Sequence, residues 1–278
     1  MTKKTKNIII LGLIMILTAT IFTGCGQKNM DNVKAEENQG TLEKIKASGK
    51  IILGTSADYP PYEFHMEVNG KDKIVGFDIA IAEEIAKDLG VELEIKDMEF
   101  GGLLADLKTN KVDFVLAGMT PDAERMLEVD FSTIYYNAEH TLIINKKDID
   151  KYAGVNDFKG KLIGVQRGAI QEDIAKEQIE TPQIKALGKV TNLMLELKTG
   201  KVDAVLVEEP VGAAYVRKND ELYMTNIVFK DEDGGSAVAV NKGNEELLEA
   251  INKTIERLIN ENKIDQFVIE ANDMMDNE

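Results

Sequence analysis

Two twelve-residue stretches of the chain carry the same pattern, and this repetition decides the fold. "LKTNKVDFVLAG" runs from Leu107 to Gly118, and "LKTGKVDAVLVE" runs from Leu197 to Glu208. Eight of the twelve positions are identical. In each stretch a polar helix end is followed by a turn and then by an apolar, β-branched strand. The repetition predicts two lobes of similar build.

A weaker repeat and the surrounding pattern extend this prediction. "GKIILGTSA" begins at Gly49 and "GKLIGVQRG" begins at Gly160, and both lead through an apolar strand into a small polar loop. Residues 76–90, "GFDIAIAEEIAKDLG", place apolar side chains at helical spacing before a glycine stop, and residues 91–98, "VELEIKDM", alternate as a strand does. Alternating strands and helices predict an α/β fold with mainly parallel sheets flanked by helices.

The ends of the repeated strands indicate where a ligand binds. Ligands of open α/β sheets lie beyond the carboxyl ends of the strands. The four predicted strand ends are Ser56, Gly118, Gln166 and Glu208, two in each repeat. We therefore expect one binding site shared between two lobes.

The N-terminus predicts export and anchoring. Residues 1–24 have a basic start and an apolar run of about 15 residues, which is the length of a secretory signal and shorter than a membrane span. The only cysteine, Cys25, follows directly and has no disulfide partner in the chain. "FTGC" resembles the lipobox of bacterial lipoproteins, although Phe22 stands where leucine is usual. We expect a signal peptide over 1–24, a lipid on Cys25 and a flexible tether over 25–40. The alternative is an ordinary signal peptide with an incidental cysteine.

Charge and motif content argue against several classes of function. The formal net charge is −16, which disfavours nucleic acid and anionic lipid surfaces. The only histidines, His65 and His140, lack metal-ligand spacing, and we expect them at the surface or the hinge. The chain contains no P-loop, no G-x-G-x-x-G and no G-x-S-x-G motif. "DEDGG" from Asp231 lacks the acid alternation of a calcium loop and predicts a flexible connection. We predict neither a metal nor a cofactor.

Five motifs in order identify the chain as a member of a known family. It resembles the amino-acid-binding solute receptors of bacterial ABC importers, the family-three extracellular solute-binding proteins, from about Thr41 to about Ile269. The motifs are "GTSADYPPYEF", "IVGFDIAIAEEIAKDLG", "VDFVLAGMTPDAERMLEVDFS", "GVQRGAIQED" and "KVDAVLVEEP". The resemblance implies the two-lobed periplasmic-binding-protein fold of type II. Each lobe is then a mainly parallel sheet flanked by helices, and a hinge of two crossings joins them.

The family also implies a division of the chain and a role. Residues 41–136 and 236–278 would form lobe 1, and residues 137–235 would form lobe 2. The implied function is a monomeric receptor, not an enzyme, on the outer face of the cell membrane. It would capture a free polar or basic L-amino acid (glutamine, arginine or lysine) between its closing lobes. It would then deliver the amino acid to the membrane subunits of an ABC permease.

Arg125 is the predicted anchor for the ligand carboxylate. The Thr-Pro-Asp stretch from Thr120 predicts a helix start with Thr120 as the hydroxyl cap. One turn later, Arg125 can present two parallel donors to a carboxylate. The resemblance assigns it to the α-carboxylate, assisted by Thr120 and the backbone near Gly118. The alternative is a surface arginine that pairs with Glu124 or Glu128.

The family resemblance implies that Glu208 binds the ammonium of the ligand. Its neighbour Glu209 is expected to be exposed to solvent. Gly168 permits a tight turn, after which backbone N–H groups can reach the carboxylate. Relatives often have two threonines after this glycine, so their hydroxyl contacts are lost here. Tyr59 and Phe100 match positions that sandwich the ligand side chain, while Tyr62 and Phe64 are expected in the core or rim. The other predicted ligand contacts are Ser56, Ala117, Gln166, Ala169, Ile170 and Gln171.

Two other classes of function stay open at this stage. A cyclohexadienyl or arogenate dehydratase is similar to this family, so an enzyme on the same fold is one alternative, and turnover of a substrate would reveal it. A ligand-sensing module is the other, but a sensor normally carries a transmembrane helix or a signalling domain. The sequence predicts a transport receptor ahead of both.

Overall fold

The computed structural model describes residues 41–231 and 234–276. The predicted signal peptide, the tether and Cys25 lie outside the described residues, as do positions 232 and 233 of the predicted flexible connection. Within the described ranges, the helices are all too short or too polar to cross a membrane.

Thirteen strands and nine α-helices make up the described fold. The strands are β1 (Lys50–Thr55), β2 (Asp58–Tyr59), β3 (Glu63–Val68), β4 (Lys71–Val75), β5 (Glu92–Asp97), β6 (Phe114–Val115), β7 (Val129–Phe131), β8 (His140–Asn145), β9 (Leu162–Gln166), β10 (Gln183–Leu187), β11 (Ala204–Glu208), β12 (Leu222–Phe229) and β13 (Ala239–Asn241). The helices are α1 (Thr41–Ser48), α2 (Phe77–Leu89), α3 (Leu103–Lys108), α4 (Ala123–Glu128), α5 (Gln171–Gln178), α6 (Val190–Lys198), α7 (Glu209–Arg217), α8 (Glu245–Asn260) and α9 (Lys263–Asp276). Short 3₁₀ turns cover Phe100–Gly102, Lys146–Lys151 and Val155–Phe158.

Two five-stranded sheets form the two lobes. The sheet of lobe 1 has the order β5-β1-β6-β13-β7, and the sheet of lobe 2 has the order β10-β9-β11-β8-β12. Three neighbouring strands run parallel in each lobe, and β13 and β8 are inserted antiparallel to their neighbours. A small antiparallel sheet, β2-β3-β4, accompanies lobe 1. The predicted fold of two mainly parallel sheets flanked by helices is confirmed.

The repeated stretches hold equivalent positions in the two lobes. The Asp113 carboxylate accepts the N–H of Ile52 at 2.8 Å, and the Asp113 N–H returns a bond of 2.8 Å to the carbonyl of Ile52. Asp203 makes the same two bonds, both 2.8 Å, with Leu162. Each aspartate thus fastens its strand start to the neighbouring strand. These bonds make Ile52 and Leu162 structurally equivalent. The weaker sequence repeat, which aligns Gly49 with Gly160, is therefore out of register with the structure by one residue.

The chain leaves and re-enters lobe 1 at adjacent points. Tyr136 and Ser236 form an antiparallel bridge, and the Ser236 N–H donates to the carbonyl of Tyr136 at 2.7 Å. Gly235 precedes the bridge with φ +124°, and a Cβ there would lie 2.5 Å from Oδ1 of Asn137. Only glycine fits that backbone and that space. Strands β8–β12 all lie between these two crossings.

Apolar faces hold each lobe together. Helix α2 buries Ile81 and Ile85 against the sheet of lobe 1 and ends at Gly90, whose φ is +72°. On the outer side of α2, Arg257 of α8 bonds to Glu84 at 2.6 Å and to Asp88 at 2.9 Å. Lobe 2 has its own apolar core around Leu142, Phe158, Ile163, Ile174 and Leu206. The strand ends that face the other lobe therefore belong to sheets with well-packed cores.

Candidate functional site

A narrow cavity lies where the strand ends of the two lobes face each other. Its lining residues all belong to the set predicted from the sequence. They are Tyr59, Phe100, Ala117, Gly118, Thr120, Arg125, Gln166, Ala169, Ile170 and Gln171. The first six come from lobe 1 and the last four from lobe 2, so the cavity is shared as predicted. Ser56 and Glu208, the two remaining predicted contacts, are buried nearby but do not line it.

Arg125 is buried at the cavity wall with its guanidinium held in place. Nη1 donates to the carbonyl of Thr120 at 2.7 Å, and Nη2 donates across the lobes to the carbonyl of Gly168 at 2.8 Å. Nε lies 3.1 Å from Oδ2 of Asp122. Each Nη carries a second N–H, which these bonds leave available for a carboxylate. The alternative of a surface arginine paired with Glu124 or Glu128 does not match this burial.

The charge of Arg125 lies in a buried environment beside an aromatic ring and an acid. Its carbon Cζ lies 5.5 Å from the centre of the Phe100 ring, within the range of a cation–π contact. Burial lowers the pKa of Arg125 from its ordinary value, and the charge of Asp122 opposes this shift. The site therefore presents a positive charge in a poorly solvated place, where an anion interacts with it strongly.

The helix that carries Arg125 starts two residues later than the sequence suggests. The cap of α4 is Asp122, whose carboxylate accepts the N–H of Arg125 at 2.8 Å, so the prediction of Thr120 as the hydroxyl cap is wrong. An aspartate caps a helix as well as a threonine does. Thr120 is instead buried in the cavity wall, where its carbonyl accepts from Arg125.

Lobe 2 offers backbone donors opposite Arg125. Gly168 has φ +78°, and a Cβ on it would lie 3.1 Å from Cα of Gly101, so the tight turn requires glycine. Helix α5 then begins at Gln171 with Ile170 as its cap. The N–H groups of Ile170 and Gln171 have no partner among the described residues. A carboxylate beside Arg125 would meet these donors as well.

A chain of polar contacts also connects the lobes beside the cavity. The hydroxyl of Tyr59 accepts the N–H of Glu208 at 3.3 Å and Nε2 of Gln171 at 3.4 Å. Gln171 also lies 3.4 Å from Nδ1 of His140. His140 is buried, so the expectation of a surface or hinge histidine is wrong for it, whereas His65 is exposed. Burial lowers the pKa of His140 to about 4, which leaves it neutral at neutral pH.

His140 is the site residue that sequence reasoning missed. It begins β8, which pairs antiparallel with β11 and places His140 opposite Glu208. The apolar run after His140 indicated a strand but not which strand it joins. Its pairing beside Glu208 depends on the long connection through lobe 2, which no local pattern reveals.

Glu208 belongs to a cluster of buried acids, which consists of Glu63, Asp78 and Glu208. Burial raises the pKa of Glu208 to about 8; the Tyr62 hydroxyl opposes the shift and the charge of Asp78 adds to it. Burial also raises the pKa of Asp78 to about 7, although Gly118 N–H donates to it at 2.9 Å. The pKa of Glu63 is raised well above its usual range, first by burial and then by Asp78.

Several buried side-chain polar atoms have no hydrogen-bond partner among the described residues, and two of them belong to predicted ligand contacts. These two are Oε2 of Glu208, an acceptor, and Nε2 of Gln166, a donor. Leaving such groups unpaired costs about 1–3 kcal/mol each, so the site is suited to a polar ligand that pairs with them. Glu209, the next residue, is exposed as expected.

Ser56 has another partner in this structure. Its hydroxyl donates to Oδ1 of Asp58 at 3.1 Å. Tyr62 and Phe64 are buried, and the ring of Tyr62 packs 4.3 Å from that of Phe77. The ring of Tyr62 lies against Gly118 in the cavity wall, and the burial of both aromatic side chains agrees with the expected core or rim positions.

Two lobes joined by paired crossings, with a buried polar cavity at the strand ends of both, define a two-lobed solute-binding protein. Residues 51–270 match the family of bacterial extracellular solute-binding proteins, family 3, and the chain belongs to that family. The resemblance predicted from the motifs is confirmed.

The proteins of this family to which the chain is similar include several amino-acid-binding proteins. The arginine-binding extracellular protein ArtP of Bacillus subtilis is 37% identical over 88% of this chain and 91% of its own length. The L-cystine-binding protein TcyJ of Escherichia coli is 32% identical over 81% and 83%. The substrate-binding protein AbpA of Streptococcus pneumoniae, solved with L-arginine bound, is 39% identical with a TM-score of 0.81, covering 84% of this chain and 98% of that one. The relatives bind different amino acids, so membership alone does not fix the substrate.

Proposed function

We propose that this protein is the receptor of an ABC importer for a free polar or basic L-amino acid. The observation that carries the proposal is the pair formed by Arg125 and Glu208. They come from opposite lobes, both are buried, and each has hydrogen-bonding capacity left over beside a shared cavity. A free amino acid carries one anionic and one cationic end, which matches this pair.

Each end of the amino acid has a proposed set of partners. The α-carboxylate binds the second N–H of each Nη of Arg125 and the N–H groups of Ile170 and Gln171. The α-ammonium binds Glu208. The side chain lies between the rings of Tyr59 and Phe100. The remaining predicted contacts are Ser56, Ala117, Gly118, Thr120, Gln166 and Ala169.

Among the candidates glutamine, arginine and lysine, we propose to test arginine first. Asp78, which accepts the N–H of the cavity residue Gly118, and Glu208 are buried beside the site, and carboxylates favour a cationic side chain over an anionic one. Of the relatives described above, ArtP is named as an arginine-binding protein, and AbpA was solved with L-arginine bound. Nε2 of Gln166 is a donor, and it also suits an amide carbonyl such as that of glutamine.

The location follows from the N-terminus and from the family. We propose that residues 1–24 are a signal peptide, that Cys25 is lipidated, and that residues 25–40 tether the receptor to the outer face of the membrane. The receptor acts as a monomer and delivers its ligand to the membrane subunits of the permease. Mass spectrometry of the mature N-terminus tests the anchor, and an unmodified Cys25 or cleavage elsewhere would disprove it.

Closing of the lobes is the proposed signal to the permease. A ligand that bridges Arg125 and Glu208 binds the closed form better than the open form, and this difference shifts the equilibrium. Scattering measurements should therefore give a smaller radius of gyration when the ligand saturates the protein.

A thermal-shift screen of the twenty amino acids tests the function. A ligand at 100 times its Kd adds about 2.7 kcal/mol to the free energy of unfolding, which is easily measured. The expected result is stabilisation by one or a few polar or basic amino acids that remain chemically unchanged on incubation. Stabilisation by none of them would refute the proposal, and conversion of the ligand would favour the dehydratase-like alternative.

A further inference from the structure

Helix α6 of lobe 2 begins without a cap of its own. Its cap position is Lys189, whose side chain makes no capping bond. The N–H of Val190, in the first turn, instead donates to Oδ2 of Asp58. Asp58 is the first residue of β2, in lobe 1. One lobe thus supplies the capping carboxylate for a helix of the other.

Asp58 is held for this contact from both sides. Within lobe 1, the hydroxyl of Ser56 donates to its Oδ1 at 3.1 Å. From lobe 2, the hydroxyl of Tyr215 donates to its backbone carbonyl at 2.8 Å. Only 5% of the Asp58 surface is exposed. The aspartate is therefore desolvated between the lobes, and its two bonds to lobe 2 replace water.

A second polar contact joins the lobes beside Asp58. Nζ of Lys189 lies 3.1 Å from Oδ1 of Asp97, at the end of β5. Asp97 is fixed by the N–H of Ala57, which donates to it at 2.8 Å. This ion pair and the capping contact lie side by side at the strand ends of both lobes.

These contacts lie outside the cavity. Asp58, Lys189, Val190 and Tyr215 are not among its lining residues. If the lobes separated, α6 would lose its capping carboxylate, and water caps the first N–H groups of a helix less well than a carboxylate does. The contacts therefore favour the closed form without touching a ligand.

We propose that Asp58 is a closure latch, a positioning residue that sets ligand affinity by capping α6 across the lobes. The inference rests on the proposed function, because an amino acid is what brings the lobes together. The loss of a helix cap changes the equilibrium constant for forming the capped state by about twofold to thirtyfold. Here the capped state is the closed form.

The test compares three variants of the full chain by calorimetry with L-arginine and by hydrogen exchange. Asp58→Ala removes the cap and Tyr215→Phe removes the second bond; both should raise the Kd, Asp58→Ala by about twofold to thirtyfold. Asp203→Ala is the matched control, since its carboxylate caps a backbone N–H within lobe 2 only. It should lower the melting temperature and leave the Kd unchanged.

Hydrogen exchange separates this proposal from the proposed function. The amides of Val190 and Thr191 should exchange more slowly when L-arginine is added to the wild type, and faster in Asp58→Ala even without ligand. Wild-type affinity in both Asp58→Ala and Tyr215→Phe would overturn the latch while leaving the receptor function intact. If no amino acid binds the wild type, the proposed function fails. The latch is then overturned if the ligand-free Asp58→Ala chain exchanges these amides at the wild-type rate.

Discussion

Arg125 of lobe 1 donates a hydrogen bond of 2.8 Å to the carbonyl of Gly168 in lobe 2. The same guanidinium faces the cavity and has one N–H on each Nη to spare. A single side chain therefore joins the two lobes and, in the proposed function, also binds the ligand carboxylate. These two roles predict an unusually large effect of its removal.

Arg125→Ala should weaken amino-acid binding by roughly thirtyfold or more. Removing one member of a desolvated charge pair costs about 2–5 kcal/mol, and about 1.4 kcal/mol corresponds to tenfold in Kd. Arg125→Lys keeps the charge but loses the planar fork, so its affinity should fall between those of the wild type and the alanine variant. Isothermal titration calorimetry on folded variants measures both.

Arg257→Ala is the control for these variants. Arg257 is also an ion-paired arginine of lobe 1, but its partners Glu84 and Asp88 lie on the outer side of α2. Its loss should leave the Kd unchanged. Equal affinities for Arg125→Ala and Arg257→Ala would contradict the role of Arg125.

Glu208→Gln tests the other end of the ligand. The amide keeps the size of the side chain but cannot pair with an ammonium as a carboxylate does. We expect the Kd to rise by about thirtyfold or more at neutral pH, which corresponds to the lower end of the range for a broken charge pair. Glu209→Gln, at an exposed neighbour, should bind as the wild type does. If both variants bind equally well, Glu208 does not hold the ammonium.

Ligand binding should release a proton near neutral pH. Without a cation beside it, Glu208 has a pKa of about 8 and is mostly protonated at pH 7. An ammonium requires the ionised form, so binding lowers this pKa and expels the proton. The Kd should fall as the pH rises from 5 towards 8, by up to about tenfold per unit for one proton. Calorimetry in buffers of different ionisation enthalpy counts the protons, and Glu208→Gln should release fewer.

The ligand-free protein should show the opposite trend in stability. Glu208 and Asp78 have folded-state pKa values raised to about 8 and about 7, above their ordinary carboxyl values. The folded chain then holds protons that the unfolded chain gives up, so this stabilisation is complete below about pH 4 and is lost as the pH rises through 7 and 8. Denaturation midpoints between pH 5 and 8.5 measure the trend, with Glu208→Gln reducing it. An unchanged profile in that variant would exclude Glu208 as its source.

Gly235→Ala should destabilise the return crossing. Its φ of +124° strains any other residue, and the new Cβ would lie 2.6 Å from Cγ2 of Ile134. Strain and overpacking together should lower the free energy of unfolding by about 2–6 kcal/mol. Gly160→Ala is the control: its φ is +69° but the space around it is open, so the cost should be about 1 kcal/mol. Denaturant titration compares the two, and similar losses would argue against crowding at the crossing.

Sequence reasoning succeeded where local chemistry and strand ends coincide. The cavity-lining residues were all among the predicted ligand contacts: the repeat marked Gly118 and Gln166 as strand ends, and the family resemblance implied the others. Arg125 was assigned to the site by the family resemblance, since the residues alone left a surface arginine open. Strand ends that the repeat marks in the sequence are therefore close together in the folded chain.

The missed features depend on pairing between distant segments. His140 lies beside Glu208 only because β8 joins the sheet antiparallel to β11. Asp58 caps α6 although 132 positions separate it from Val190. Propensity and spacing describe neighbours along the chain, so contacts of this kind appear only once both lobes are assembled.

The adjacent crossings at Tyr136 and Ser236 also govern the order in which the chain can fold during synthesis. Strands β8–β12 form one uninterrupted insertion with a core of its own, so the ribosome supplies all of lobe 2 in a single passage. The sheet of lobe 1 has β13 between β6 and β7, and this strand is made only after the insertion. The lobe whose first strand is translated earliest is therefore the last to be completed.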